Sequence, residues 1–226
     1  MIYFDNVTKI YPPNIIALDN VSLSISQGEF VSIVGRSGAG KSTLLKLIFG
    51  EERPTKGKIY FENKNLVDLA KKSLPFLRRK ISMIYQDFKL LDQKTVYENV
   101  AFGMEVTGAS DREIQKIVPQ VLKLVKLEKK ENFFPPQLSA GEQQRVAVAR
   151  ALALRPKVIL ADEPTGNLDL YNTKELIKLF LKINEHGTTI ILATHNKDVV
   201  NYIKKRVIVL NKGKIVKDIE RGKYIL

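Results

Sequence analysis

The segment Gly35-Arg36-Ser37-Gly38-Ala39-Gly40-Lys41-Ser42 constrains this chain more than any other, because it dictates a strand, a tight loop and a helix in that order. It fits the phosphate-binding pattern G-x-x-x-x-G-K-[ST] at every fixed position. Glycine takes up the strained turns of such a loop at little steric cost. The backbone N–H groups then converge as an anion nest at the start of the following helix. In such a loop Lys41 reaches the β- and γ-phosphates, and the Ser42 hydroxyl sits on Mg2+. The flanks agree: Phe30-Val31-Ser32-Ile33-Val34 reads as a short strand, and Thr43-Leu44-Leu45-Lys46-Leu47-Ile48-Phe49 as a helix. A plain Gly/Ser turn in a linker would need neither flank.

The chain has 226 residues, which suits one compact unit carrying an extra lobe, and 44% hydrophobic content is enough for a packed core. No apolar run approaches the roughly 18 residues of a bilayer span. Met1-Ile2-Tyr3-Phe4-Asp5 lacks the basic-then-apolar start of a secretory leader, so a cytosolic location is expected. With no cysteine, disulfides, thiolate chemistry and Cys-based zinc sites are excluded. A net charge of +13 attracts polyanions, either nucleic acid or the anionic inner leaflet of a membrane. The excess clusters at Lys71-Lys72, Arg78-Arg79-Lys80 and Lys204-Lys205-Arg206. A solvated lysine-rich surface accounts for it equally well, so charge alone names no partner.

Residues 2–35 read as β-rich, turning at Tyr11-Pro12-Pro13-Asn14. Gly57–Phe61 and Ile81–Tyr85 read as strands, and residues 87 to about 153 as mostly helical. Three helix starts there carry the capping box S/T-x-x-E: Thr95 with Glu98, Ser110 with Glu113, and Ser139 with Glu142. Val158-Ile159-Leu160-Ala161 is a continuous apolar run of the kind buried on both sheet faces, and Thr188–Ala193 is a second, after a helix near 170–185. Arg206–Leu210 and Lys214–Lys217 read as a hairpin around Asn211-Lys212-Gly213. The charged Lys126–Glu131 reads as an exposed helix end. The sum is a single α/β domain over 1–226: a core of 1–86 and 154–226 interrupted by a helical insertion at 87–153.

Nucleotide hydrolysis asks for two acidic groups, one near the metal and one orienting or deprotonating the attacking water. Asp162 and Glu163 close an apolar strand and suit these two tasks, although an acidic strand stop before Pro164 explains them too. Leu138-Ser139-Ala140-Gly141-Glu142-Gln143-Gln144-Arg145 opens a helix, and a Ser- and Gly-bearing helix N-terminus is also an anion site. It precedes Glu163 by 24 positions, counted from Ser139. His195 and Gln86 each follow a strand, where an imidazole can donate to the γ-phosphate and an amide can sense metal and water, although a lone histidine is more often a structural residue. Tyr11 offers an aromatic face to adenine, although a tyrosine in a Pro-Pro turn is by itself no evidence of that role.

Taken in order, Tyr11, the loop 35–42, Gln86, Leu138–Gln143, Asp162-Glu163, Asn167-Leu168-Asp169 and His195 resemble an ABC-type ATPase cassette over nearly the whole chain. The resemblance implies a P-loop NTPase core: a mainly parallel sheet with helices on both faces, an antiparallel N-terminal β subdomain and a helical signature-bearing lobe. It implies ATP hydrolysis to ADP and phosphate with Mg2+, with Lys41, Gln86, Glu163 and His195 in catalysis. Nucleotide contacts are implied for Tyr11, Gly35–Thr43 and Asp169, and metal contacts for Ser42, Gln86 and Asp162, the last through water. Two cassettes of this family close head to tail, so Ser139, Gly141 and Glu142 would complete the site of a second copy; one P-loop and one signature per chain fit a homodimer. An integral membrane partner follows, with division-ring proteins as further partners, no specific nucleic acid, and a peripheral position on the cytoplasmic face of the membrane. Ser73–Ile81, Tyr85–Leu91 and Thr95–Ala101 are similar to cassettes serving bacterial cell division, overlapping with those of lipoprotein release and drug efflux. This chain departs from the family pattern at Ala140 and Glu142 of the signature, both common variations that keep Ser139 and Gly141, and at Asn196, where an acidic residue is usual, which bears on the setting of His195.

Two other classes fit less well. DNA-associated relatives need long coiled coils between the P-loop and the signature, yet Ser42 and Ser139 are 97 positions apart with no heptad run. A small-molecule phosphotransferase has no use for Leu138–Gln143 or His195.

Overall fold

In the computed structural model, which describes residues 1–222, the parallel strands find the neighbours that their apolar runs demand. The described residues form ten strands and seven α-helices, in the order β1 Ile2–Tyr11, β2 Ile15–Ile25, β3 Phe30–Val34, α1 Lys41–Ile48, β4 Lys56–Phe61, β5 Lys64–Asn65, α2 Leu74–Lys80, β6 Ile81–Ile84, α3 Val96–Val106, α4 Asp111–Leu124, α5 Ala140–Ala153, β7 Val158–Asp162, α6 Leu170–Glu185, β8 Thr189–Thr194, α7 Lys197–Ile203, β9 Arg206–Asn211 and β10 Lys214–Ile219. One sheet, β2-β1-β4-β5, is antiparallel. The other runs β10-β9-β3-β8-β7-β6, parallel from β9 to β6 and antiparallel only at its edge strand β10. The expected α/β class holds.

Successive strand residues face opposite sides of a sheet. Val158, Leu160, Ile191 and Ala193 therefore pack into one core with Leu44, Leu45 and Ile48 of α1 and Phe4, Val21 and Ile59 of the antiparallel sheet. Ile159, Ala161, Ile190 and Leu192 pack into the other, against Val100 of α3, Val148 of α5 and Phe180 of α6. All three capping boxes form, at Thr95, Ser110 and Ser139.

Several boundaries shift. Tyr11 pairs with Ile15, so only residues 12–14 turn. β6 ends at Ile84 and leaves Tyr85 outside the sheet, where burial, reinforced by Glu51, pushes its phenol up to about 12. Residues 87–95 are loop rather than helix. Lys126–Glu131 is not a helix end either: α4 stops at Leu124, Lys126 takes a left-handed φ of 61°, and Leu127 turns into the core. The short helices α2 and α7 were not expected. Asn196 explains α7, since its side chain accepts from the N–H groups of Asp198 and Val199 as the N-cap. The departure from an acidic residue there thus keeps a capping side chain.

The parallel strands end on one edge, where open α/β sheets carry their ligands. β3 delivers Gly35, β6 Gln86, β7 Asp162 and Glu163, and β8 His195.

Candidate nucleotide site

A cavity of about 660 Å3 opens at that edge. Arg36, Ser37, Gly38, Gly40, Lys41, Ser42 and Thr43 line it from the loop and α1, Gln86, Glu163 and His195 from the strand ends, and Tyr11 from β1. Ile15, Ile16 and Ala17 line it too, and sequence reasoning missed them. Ile15 and Ile16 are 61% and 55% exposed, an unusual pair of isoleucines just past the Tyr11 turn, and that exposure suits a flat apolar ligand face. Lys9 sits 4.7 Å over the Tyr11 ring. Gly35 and Ala39 do not line the cavity. A Cβ on Gly35 would lie 2.4 Å from the Leu210 carbonyl, and the Ala39 carbonyl accepts from the Gly213 N–H at 3.1 Å. Both anchor the loop to the β9–β10 hairpin instead.

α1 begins without a side-chain cap, because Gly40 precedes it, and no acidic residue occupies its first turn. Its first N–H groups are left for a ligand, and the helix dipole favours an anion there. Gly40 has φ 106°, and a Cβ on it would meet the Ala17 carbonyl at 2.4 Å. Gly40→Ala is therefore expected to cost roughly 1–3 kcal/mol of stability and most of the nucleotide affinity. Thermal melting with and without ATP checks this; an unchanged melting temperature and an unchanged ATP shift would contradict it.

Lys41 is buried, and its Nζ donates to the carbonyls of Gly35 at 3.0 Å and Arg36 at 3.3 Å. It also lies 3.5 Å from Glu163 Oε1. The Ser42 hydroxyl donates to Asp162 Oδ1 at 3.0 Å. Burial raises the Asp162 carboxyl above its ordinary range against the opposing Ser42 hydrogen bond, and neighbouring Glu163 adds to the rise. A hydroxyl beside a half-buried carboxylate is an oxygen pair that Mg2+ accepts together with phosphate oxygens and water, and a cation would draw Asp162 back to its charged form. The residues present therefore fit the metal. Glu163 has φ 46°, rare for a glutamate, so its side chain leaves the line of Asp162. Its Oε1 is 2.8 Å from His195 Nδ1, and its Oε2 accepts the His195 backbone N–H at 3.3 Å. A carboxylate only accepts, so this contact places the ring proton on Nδ1.

Ser139, Gly141, Glu142 and Asp169 are not among the cavity-lining residues. They form a second constellation. Gly141 abuts Asn172, where a Cβ would lie 2.8 Å from Oδ1. The Asn172 backbone N–H and Nδ2 donate to the two carboxylate oxygens of Asp169, both at 2.7 Å. Asn172 thus ties the signature to Asp169. Its only trace in sequence is its place three residues after a helix-capping Asp.

The Gln86 carbonyl accepts from Asn167 Nδ2 at 3.2 Å, and just beyond it Phe88 and Lys89 have φ of 58° and 49°. Two consecutive left-handed residues, one of them bulky, need an external hold. Arg150 of α5 supplies it, donating to the Phe88 carbonyl at 2.9 Å and the Lys89 carbonyl at 2.7 Å. Arg150→Met orphans both acceptors, so a loss of roughly 1.5–3 kcal/mol is expected. Urea denaturation measures it, and an unchanged midpoint would remove the clamp from the account.

The model of the ABC transporter family matches residues 18–166, well over half of the chain. The chain belongs to the ABC transporter family. Over 224 residues the cassette is 52% identical to the cell division ATP-binding protein FtsE of Bacillus subtilis, covering 99% of this chain and 98% of that protein. Over 213 residues it is 46% identical to the FtsE of Escherichia coli, covering 94% and 96%. Among solved structures, it is similar to the dimeric post-hydrolysis state of the ATP-binding cassette MJ0796 bound to ADP and Pi. That likeness has a TM-score of 0.90 and 39% identity over 99% of this chain and 100% of that one. The cassette is an ABC-type ATPase.

Proposed function

We propose that two copies of the cassette close on Mg-ATP, each cavity being completed by the partner's Ser139 and Gly141, and that this closure drives a membrane protein in cell division. One observation carries the reading: the P-loop cavity and the Ser139–Gly141–Asn172–Asp169 constellation share no lining residue within one chain. A second chain would bring the two together, and the MJ0796 relative is dimeric.

Within the cavity, Lys41 and the α1 N-terminus grip the β- and γ-phosphates, and Tyr11 with Ile15 and Ile16 receives the adenine. Ser42 and Asp162 would hold Mg2+, with Gln86 reaching it from β6. The cation, when bound, offsets charge on the phosphate oxygens. Glu163 orients the attacking water and takes its proton, and His195 contacts the γ-phosphate. Glu163 is engaged by His195 and faces Lys41. A γ-phosphate competes for both of those cations or donors, and so frees the Glu163 carboxylate for water.

Residues 87–153 act as the helical lobe that meets the membrane partner. Phe88, Leu90 and Leu91, just past Gln86, are only half-buried, and Phe102 and Val106 of α3 are 39% and 68% exposed. No helix among the described residues is long and apolar enough to cross a membrane. Attachment through a partner, with the basic patches at the anionic inner leaflet, suits the net charge of +13. The FtsE relatives point to an FtsX-type partner. Co-expressed with the FtsX-type protein of its own genome and extracted in detergent, the cassette is expected to co-purify with it. Co-purification instead with a lipoprotein-release or efflux subunit would reassign it to transport.

A further inference from the structure

The loop that replaces the expected helix end at Lys126–Glu131 bears on the signature. Glu142 stands where the family pattern carries glutamine, and its charge sits within one helical turn of Ser139 and Gly141. As the third residue of α5 it is favourable to its own helix, since it completes the capping box. Towards a second copy's ATP it is a liability, because an anion faces an anion.

Both of its oxygens are committed. Oε2 accepts from the Ser139 N–H at 2.9 Å and from the Ser139 hydroxyl at 3.0 Å. Oε1 lies 2.6 Å from Lys130 Nζ. Burial acting alone would raise the Glu142 carboxyl, but the bonds from Lys130 and Ser139 outweigh it and hold the group ionised.

Lys130 is held in place by its own loop. Its N–H donates to the Leu127 carbonyl at 3.0 Å, its carbonyl accepts from Phe133 at 3.0 Å, and its ammonium lies 5.4 Å from the Phe133 ring centre. The carbonyls of Glu131 and Phe133 accept from Tyr97 and Val96 at 2.9 and 2.8 Å, which pins the loop to the start of α3. A part-exposed ion pair of this kind contributes only about 0–1 kcal/mol to folding.

We propose that Lys130 is a positioning residue for the composite site: its ammonium cancels the Glu142 charge, so that the α5 N-terminus of one copy still attracts the γ-phosphate of ATP held by the other. The inference rests on the head-to-tail dimer proposed above. In this chain the signature glutamate is tolerated because Lys130 of the α4–α5 loop neutralises it. Lys130 does not line the cavity, so its effect belongs to association and not to nucleotide capture by the single chain.

The test is a double-mutant cycle in a Glu163→Gln background, reading the ATP-dependent dimerisation constant by analytical ultracentrifugation at saturating Mg-ATP. Lys130→Met is expected to weaken the dimer roughly tenfold when residue 142 is Glu, about 1.4 kcal/mol. It is expected to change the dimer less than about twofold when combined with Glu142→Gln. Lys130→Arg should keep the tight dimer, and the Lys130→Met effect should shrink as salt rises. Binding of a fluorescent ATP analogue to the monomer should be unchanged. Equal weakening with either residue at 142, or none with either, would overturn the proposal while leaving the composite site intact. Absence of an ATP dimer in the Glu163→Gln protein itself would overturn the composite site, and the role of Lys130 with it.

Discussion

Replacing Glu163 by glutamine is expected to stop turnover and to trap the cassette as an ATP-bound dimer. The substitution keeps the size of the side chain and leaves an amide oxygen to accept from His195 Nδ1, now 2.8 Å from Oε1. It removes the proton acceptor, a change worth roughly 100- to 10,000-fold in rate for a positioned general base. It also removes a negative charge 3.5 Å from Lys41, which then has one competitor fewer for the γ-phosphate. Hydrolysis should fall, ATP should be held more tightly, and the closed state should persist. Size-exclusion chromatography with and without Mg-ATP reads this directly. An elution position unchanged by Mg-ATP would contradict closure on ATP, and retained turnover would move the base elsewhere.

The second large effect is expected at Lys41. Its ammonium is buried and satisfies the Gly35 and Arg36 carbonyls, so the loop is built around a cation. Lys41→Ala removes that cation from the anion nest. The charge-assisted bond to phosphate is worth roughly 1.5–3 kcal/mol, which is about 10- to 150-fold in affinity. ATP should lose more than ADP, since the γ-phosphate contact is absent from the diphosphate. Calorimetric titration of both nucleotides checks this. Full retention of ATP affinity and turnover would refute the role given to the loop.

The parts of the molecule legible in sequence are those set by neighbours along the chain. The Gly35–Ser42 loop, the two apolar runs ending at Ala161 and Ala193, and the capping boxes at Thr95, Ser110 and Ser139 each depend on a few consecutive residues, and each formed. The same strand ends carry Gln86, Glu163 and His195 to one cavity. What stayed hidden depends on residues far apart. Arg150 holds carbonyls 62 and 61 positions earlier, at Phe88 and Lys89, and no local pattern announces left-handed φ at either residue. Asn172 joins Gly141 to Asp169 through a local approach of the first turns of α5 and α6. Lys126–Glu131 has helix-forming composition, but burying Leu127 breaks the helix at Lys126. Gly35 and Ala39 satisfy the motif yet face the β9–β10 hairpin, because a pattern of residue types does not record which side of a loop each one serves.

The central claim is that the signature of one copy works on the nucleotide of the other. Mixing two inactive proteins tests it most directly. Lys41→Ala has a disabled P-loop and an intact signature; Ser139→Arg has the reverse. In a mixed twofold dimer one site pairs both defects, and the other pairs both intact halves. ATPase activity should therefore appear on mixing, up to roughly a quarter of the wild-type rate if pairing is random. If the signature served its own chain, every site in the mixture would carry a defect, and activity that stayed at zero would contradict the account.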